Sequence, residues 1–136
     1  MNVNNPSQAE IYTISADILK SEHTLIAGTT GAGKSVLINT FLTDCHGAYA
    51  AGQINFIYID LKKVELIQWE PLPHCIYYAD DEQKAVYILH KMVDIMQYRF
   101  EQMRAERLKK STESHIFIVI DELAILTDAA PESMPL

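Results

Sequence analysis

The sequence lacks the features that are typical of membrane-spanning, disulfide-rich and strongly basic proteins. It has no run of 18 apolar residues, so no segment is predicted to cross a bilayer. The two cysteines, Cys45 and Cys75, show no CxxC spacing, which favours free or buried thiols over a disulfide framework. The 11 Lys and Arg residues are outnumbered by 18 Asp and Glu residues. The net charge of −7 argues against a basic patch that would hold nucleic acid by itself.

The first residues also lack the basic start and apolar centre of a signal peptide. We therefore expect a cytosolic protein, with residues 1–9 flexible. Apolar residues make up 49% and charged residues 21% of the 136 positions, which is ordinary for a globular domain. This length predicts one domain or part of one.

What the chain does contain is an alternation of apolar runs and helical patterns. Short apolar runs predict strands at residues 24–27, 54–60, 75–79 and 115–121, and the last is predicted to be the clearest buried strand because both its faces are apolar. Helices are predicted from about residue 34 to 44 and from about 81 to 109. Asp80, with Gln83 three residues later, resembles a capping box for the second helix. This alternation predicts an α/β fold with a parallel sheet covered by helices.

A glycine-rich stretch, "GTTGAGKS", stands between the first predicted strand and the first predicted helix. It fits the phosphate-binding pattern GxxxxGK[ST], in which glycines let successive backbone N–H groups point toward a phosphate. Lys34 is predicted to reach the β- and γ-phosphates, and Ser35 to bind Mg²⁺ through its hydroxyl. The predicted nucleotide-binding residues are Gly28, Thr29, Thr30, Gly31, Ala32, Gly33, Lys34, Ser35 and Val36.

The apolar run "HIFIVIDELAIL" ends its strand in an acidic pair, which is typical of a Walker B element. Asp121 is predicted to hold Mg²⁺ through water, and Glu122 to orient or deprotonate the attacking water. An acidic pair at this place can also merely cap a following helix. The presence of Glu122 favours ATP hydrolysis over simple binding. The chain has no NKxD segment and no LSGGQ-like segment, so a guanine-specific GTPase and a transporter-type ATPase are not expected.

Four segments in the same order resemble the FtsK/SpoIIIE family of DNA translocases. They are "ISADILKSEHTLIAG", "HTLIAGTTGAGKSVLIN", "IDLKKVELIQWEPLPH" and "IVIDELAIL", and the resemblance covers residues 10–127, with residues 128–136 as a tail. In the third segment the residues in register with the family are Asp60, Lys62, Val64, Glu65, Leu66, Pro73 and His74. The chain departs from the family pattern at Leu61, Trp69 and Ile125.

The resemblance implies a P-loop NTPase with a RecA-like, three-layer αβα fold and a mostly parallel sheet. It implies ATP and Mg²⁺ as cofactors, catalytic roles for Lys34 and Glu122, double-stranded DNA as partner and a hexameric ring, without membrane contact from this segment. An accessory or subunit-interface role is expected for Asp60, Lys62 and Glu65. Two alternatives stay open, a non-enzymatic nucleotide-binding remnant and a conjugative coupling ATPase, although the register after Asp60 favours the FtsK branch.

The resemblance also predicts an incomplete sheet. In the family a further strand lies between the P-loop strand and the Walker B strand, and this sequence ends before it. Each unpaired backbone group in such a gap costs about 1–3 kcal/mol. We therefore expect the two strands to pair directly, a second copy to donate a strand, or the free edges to assemble with other chains. We also expect weak ATPase activity, because the arginine finger of the family is absent.

Overall fold

The computed structural model describes residues 8–28, 33–111 and 113–124, which belong to two compact units. The N-terminal unit runs to Ala50, and the C-terminal unit begins at Ala51. No helix within the described ranges is long and apolar enough to cross a membrane. The loop residues 29–32 and the tail 128–136 lie outside the described residues, as do residues 1–7.

The N-terminal unit contains two helices that pack together, α1 (Gln8–Lys20) and α2 (Lys34–Ala48). The buried hydroxyl of Ser15 on α1 donates a hydrogen bond to the carboxylate of Asp44 on α2. Helix α2 begins where it was predicted to begin, and it ends four residues later than expected. Helix α1 was not predicted and starts inside the segment expected to be flexible. Its isoleucines and leucine at 11, 14, 18 and 19 have helical spacing, which is the signal that could have revealed it.

The strand predicted at residues 24–27 is wrong. These residues take no regular secondary structure, and Leu25 is 80% exposed. A strand exists only where its backbone groups pair with a neighbour, and the ladders of the described sheet involve three other segments. The direct pairing expected between this segment and the Walker B strand is accordingly not found among those ladders.

The C-terminal unit is built on a three-stranded parallel sheet. Its strands are β1 (Ile54–Asp60), β2 (Cys75–Ala79) and β3 (His115–Asp121), in the order β2-β1-β3. All three match the predicted ranges. A 3₁₀ turn at Ile67–Trp69 lies between β1 and β2, and helix α3 (Glu82–Glu106) connects β2 to β3. The parallel strands and their helical connection confirm the predicted α/β class.

Helix α3 begins one residue later than the capping-box prediction required. Asp81 is its N-cap, and its side chain accepts a hydrogen bond from the backbone N–H of Lys84 at 2.8 Å. Asp80 instead accepts a hydrogen bond from the Lys84 ammonium, also at 2.8 Å. The prediction that Asp80 caps the helix is therefore wrong, because Asp81 is the residue that satisfies a first-turn N–H group. The helix ends at Glu106, and the left-handed backbone of the C-cap residue Arg107 closes the last turn.

The two faces of the sheet carry different side chains, because successive residues of a strand point to opposite faces. On one face Ile57 and Ile59 of β1 form a core cluster with Ala79 of β2 and with Ala85 and Ile88 of α3. The other face carries the intervening residues of each strand. The position of the helix on one face explains why β1 and the start of α3 hold the centre of this core.

Strand β1, and not β3, is the most buried strand. Six of the seven β1 residues are buried, whereas in β3 only Asp121 is buried and Ile118 is 38% exposed. The prediction that β3 would be the clearest buried strand is wrong, because β3 lies at an edge of the described sheet. A run that is apolar on both faces indicates the capacity for burial, while the order of the strands decides which run is central.

Candidate functional site

The first half of the predicted site is the N-terminus of α2. Gly33 is the N-cap residue, with φ 91° and ψ 11°, and it has no side chain to cap the first turn. Its carbonyl accepts the first helical hydrogen bond, from the N–H of Leu37 at 3.0 Å. The N–H groups of the first turn have no acceptor inside the helix, and the positive end of the helix dipole lies with them. This backbone geometry suits an anion such as a phosphate.

The side chains predicted to join this anion site lie on the first turn of α2. Lys34 and Ser35 are partly exposed, and Val36 is 70% exposed, so the turn is open to solvent. Gly28 is described and exposed. The other predicted loop residues, Thr29, Thr30, Gly31 and Ala32, lie outside the described residues. The described part thus carries the helix end of the motif, with a glycine in the left-handed conformation directly before the lysine.

The second half of the predicted site is the carboxyl edge of the sheet in the C-terminal unit. Asp60 ends β1, Asp121 ends β3, and the two are direct ladder partners. They share one face of the sheet with the residues two and four positions before them, and on that face the ring centroids of the ladder partners Phe56 and Phe117 lie 6.0 Å apart. Asp60 is 0% exposed and Asp121 is 4% exposed. Parallel register therefore brings two buried carboxylates together from distant parts of the sequence.

Asp60 is held by two donors from its own unit. Its Oδ2 atom accepts a hydrogen bond from the backbone N–H of Leu66 and another from the hydroxyl of Tyr78, each at 3.0 Å. The first bond fixes the loop that follows β1, and the second ties β1 to β2. Burial, followed by the hydrogen bond to Asp60, raises the pKa of Tyr78, so that its hydroxyl remains a donor at neutral pH.

Glu122, the predicted base, follows Asp121 directly and has an unusual backbone. Its φ of 58° lies in the left-handed region, which costs a residue other than glycine about 1–2 kcal/mol. The Nζ atom of Lys62 lies 3.6 Å from the Oε1 atom of Glu122. Both side chains are partly exposed, so such a pair contributes about 0–1 kcal/mol to stability. The pair links the loop after β1 to the end of β3.

The structure therefore brings Asp60, Lys62, Asp121 and Glu122 to one edge of the sheet. Glu65 is half-buried in the loop after β1. Sequence reasoning missed the roles of Tyr78 and of the Leu66 backbone. The sequence signal for Tyr78 was weak. It consisted only of a tyrosine near the end of β2, beside the strand that ends in Asp60.

A shallow cavity of about 470 Å³ lies at the same edge, next to the start of α3. It is lined by Leu61 and by the acidic segment 80–83. The Lys84 ammonium lowers the pKa of Asp80, so this carboxylate is ionised at neutral pH. The negative charge of this segment disfavours a phosphate there, and leaves the N-terminus of α2 as the described feature that suits one.

The sequence matches the family model described as "FtsK/SpoIIIE family" over residues 6–131. The chain is 35% identical over 131 residues to the protein named DNA translocase FtsK from Lactiplantibacillus plantarum. The aligned region covers 82% of this chain and 16% of that protein. It is 37% identical over 97 residues to DNA translocase FtsK of Mycobacterium tuberculosis strain CDC 1551, and the aligned region covers 71% of this chain and 12% of that protein. It is 32% identical over 133 residues to DNA translocase SftA of Bacillus subtilis, and the aligned region covers 87% of this chain and 14% of that protein. The chain thus corresponds to between 12% and 16% of the length of these three relatives.

Proposed function

Since the chain belongs to the FtsK/SpoIIIE family, we propose that it forms the ATP-binding part of a motor that moves double-stranded DNA. The observation that carries this proposal is the carboxyl edge of the sheet. There the buried Asp121 is the ladder partner of the buried Asp60, and Glu122 follows it. A buried acidic strand end followed by a more exposed glutamate is the arrangement that metal-assisted attack of water on a phosphate requires.

The roles of the residues follow from their chemistry. The first-turn N–H groups of α2 bind phosphate oxygens, and Lys34 adds a positive charge to them. Ser35 and Asp121 are the residues that would hold Mg²⁺, Asp121 through water. The Oδ1 atom of Asp60, which is buried and accepts no hydrogen bond from the described residues, supports a cation at this edge. When bound, Mg²⁺ supplies positive charge that stabilises the charge developing on the phosphate oxygens.

Glu122 is the proposed catalytic residue on the water side. Its carboxylate accepts a proton from, or orients, the water that attacks the terminal phosphate. The Lys62 ammonium lies 3.6 Å from this carboxylate and adds positive charge beside it. The left-handed backbone at Glu122 directs the chain away from the strand at the position where the proposed base is needed.

DNA and a ring of subunits are the proposed partners. The protein carries a net charge of −7, which disfavours contact between an isolated chain and the DNA backbone. DNA contact is therefore proposed to require the assembled protein, in which positive charge from several chains or from further segments meets the duplex. A cytoplasmic location is part of the same proposal.

The test is a measurement of ATP binding and of phosphate release by the wild-type protein and by Glu122→Gln in the presence of duplex DNA. Glutamine keeps the shape of the side chain but cannot accept the proton, so we expect turnover to fall by roughly 10²–10⁴ with ATP still bound. Glu113→Gln is the matched control, because Glu113 is an exposed acid just before the same strand. Unchanged phosphate release by Glu122→Gln would contradict the assignment. ATP binding without turnover in the wild type would instead support the nucleotide-binding remnant.

A further inference from the structure

The ladder pairing of Asp60 with Asp121 creates an electrostatic problem within the C-terminal unit. Ladder partners on adjacent parallel strands stand about 4.8 Å apart. Their side chains share one face, and both residues are almost completely buried. Two carboxylates in such a place repel each other, and burial removes the water that would reduce the repulsion. A cation bound beside the two carboxylates would offset this repulsion.

The two oxygens of Asp60 have different surroundings. Oδ2 accepts the hydrogen bonds from Leu66 and Tyr78. Oδ1 is equally buried and accepts none from the part of the chain that the structure describes. A buried acceptor without a donor is destabilising, and more so when it is charged. An asparagine would accept both existing hydrogen bonds at lower cost, so the structural role of Asp60 does not account for its charge.

The chemistry of the pair indicates which cation fits. Carboxylate oxygens suit hard divalent ions such as Mg²⁺ and Mn²⁺. Among the described residues no group of three or more His, Cys, Asp and Glu side chains could hold a metal, so these two carboxylates would be joined by ligands of another kind. Mg²⁺ commonly takes one or two carboxylates and completes its shell with water and substrate phosphates. The two carboxylates at the carboxyl edge of the sheet supply this number of protein ligands.

We propose that Asp60 is the second carboxylate of the divalent-cation site to which Asp121 belongs, and that its Oδ1 atom binds the cation or one of its waters. Tyr78 and the Leu66 N–H are positioning groups that hold Oδ2 and so fix the direction of Oδ1. The inference rests on the proposed function for the identity of the phosphates that would share the cation. Cation binding to the carboxylate pair is a property of the protein without nucleotide.

The first experiment titrates nucleotide-free protein with Mn²⁺ and follows the free ion by electron paramagnetic resonance. Asp60→Asn keeps the shape and the accepting oxygen, and replaces the second oxygen by an amide that cannot bind a cation. We expect at least tenfold weaker Mn²⁺ binding by Asp60→Asn. Asp80→Asn is the matched control at the same edge and should bind Mn²⁺ like the wild type, because Asp80 is paired with Lys84.

The second experiment measures thermal unfolding with and without Mn²⁺. In metal-free buffer Asp60→Asn should melt at the same temperature as the wild type or higher, because the variant removes one of two repelling charges. Mn²⁺ should raise the Tm of the wild type and leave that of Asp60→Asn unchanged. A purely structural role predicts the opposite pattern, with a lower Tm in metal-free buffer and an unaltered response to Mn²⁺, and this result would overturn the proposal.

Tyr78→Phe supplies an independent variant. It removes one hydrogen bond to Oδ2 and leaves both carboxylates in place, so we expect Mn²⁺ binding to weaken by a few-fold. Unchanged Mn²⁺ affinity in either folded variant would contradict the proposal. An ATP titration of the same preparations separates the two hypotheses, because a failure to bind ATP would refute the proposed function while an Asp60-dependent Mn²⁺ site would still stand.

Discussion

The two units offer two different kinds of binding chemistry. In the N-terminal unit the groups suited to an anion belong to the backbone, at a helix that begins after a left-handed glycine. In the C-terminal unit the groups suited to a cation are side chains that two neighbouring strands, β1 and β3, bring to one edge. A backbone site depends on a few consecutive residues, whereas a side-chain site depends on the register of the whole sheet. The two units should therefore respond to different classes of substitution.

The largest effect is expected from substitutions in the sheet. Ile57 is completely buried between β2 and β3 and contacts the α3 cluster. Ile57→Ala should lower the free energy of unfolding by about 2–5 kcal/mol, through lost burial and a cavity. Ile76→Ala is the control on β2, where the side chain is 48% exposed and a loss of about 0.5 kcal/mol is expected. Urea unfolding followed by circular dichroism measures the free energy of unfolding of both variants. Equal losses would contradict the expected difference between a buried and an exposed position of the sheet.

The next effect concerns the one charged side chain of the anion site. Lys34→Ala should weaken ATP binding by roughly 10–100-fold, which corresponds to a charged hydrogen bond of about 1.5–3 kcal/mol. The fold should persist, because Lys34 is partly exposed at the start of α2. Calorimetric titration of the variant, with Lys20→Ala as a matched control at the exposed end of α1, provides the measurement. Equal ATP affinity in wild type and Lys34→Ala would remove the lysine from the site.

A smaller effect tests the backbone itself. A Cβ atom at Gly33 would meet no atom of the described residues within 4 Å, so we expect Gly33→Ala to act through the φ of 91°. We expect a loss of about 1–2 kcal/mol of stability, together with weaker ATP binding. Gly47 also has open space around it but has no positive φ and lies inside α2, so Gly47→Ala should stabilise the helix by about 0.5–1 kcal/mol. The opposite signs are measured by thermal unfolding, and a neutral Gly33→Ala would contradict the backbone argument.

The smallest effect is a difference in reactivity between two thiols, one in each unit, measured on the folded protein. Burial, followed by the charge of Asp44, raises the pKa of Cys45 to about 12, while Cys75 is only half-buried and its pKa is raised less strongly. At pH 8 iodoacetamide should therefore modify Cys75 before Cys45, as followed by mass spectrometry of the peptides. The raised pKa also predicts that stability falls as the pH rises above about 9, because the unfolded Cys45 thiol ionises while the folded one does not. Earlier modification of Cys45 would contradict this order.

Much of the fold could be predicted because its elements are encoded locally. The strand ranges 54–60, 75–79 and 115–121 follow from β-branched and aromatic runs, and the start of α2 follows from the glycine–lysine step. The order of the strands could not be predicted in the same way, because pairing joins residues far apart in sequence. For this reason β3 was expected to be buried and is found at an edge, while residues 24–27 were expected to form a strand and have no ladder partner among the described strands.

In the candidate site, too, motif residues are visible in the sequence, whereas contacts that depend on strand pairing are not. Lys34, Ser35 and Asp121 were singled out because each belongs to a motif of consecutive residues, and their roles stay predictions. The anchoring of Asp60 by Tyr78 could not be predicted, because the two residues are 18 positions apart and meet only through the β1–β2 pairing. The left-handed backbone at Glu122 also had no signal, because it is not a residue type that favours this conformation.

The strand order also has a consequence for how the chain is made on the ribosome. About 20 residues separate Ile57 from its β2 partner Tyr77, but about 60 separate Ile54 from its β3 partner His115. At a synthesis rate of about 5–20 residues per second, β1 can join β2 early and must wait roughly 3–12 seconds for β3. During that interval the backbone of the apolar segment "INFIYID" is unpaired on the side that β3 will occupy. Neighbouring ribosomes on the same mRNA carry nascent chains with the same unpaired segment. The rate of translation across α3 therefore sets how long nascent chains can pair with one another instead of completing their own sheet.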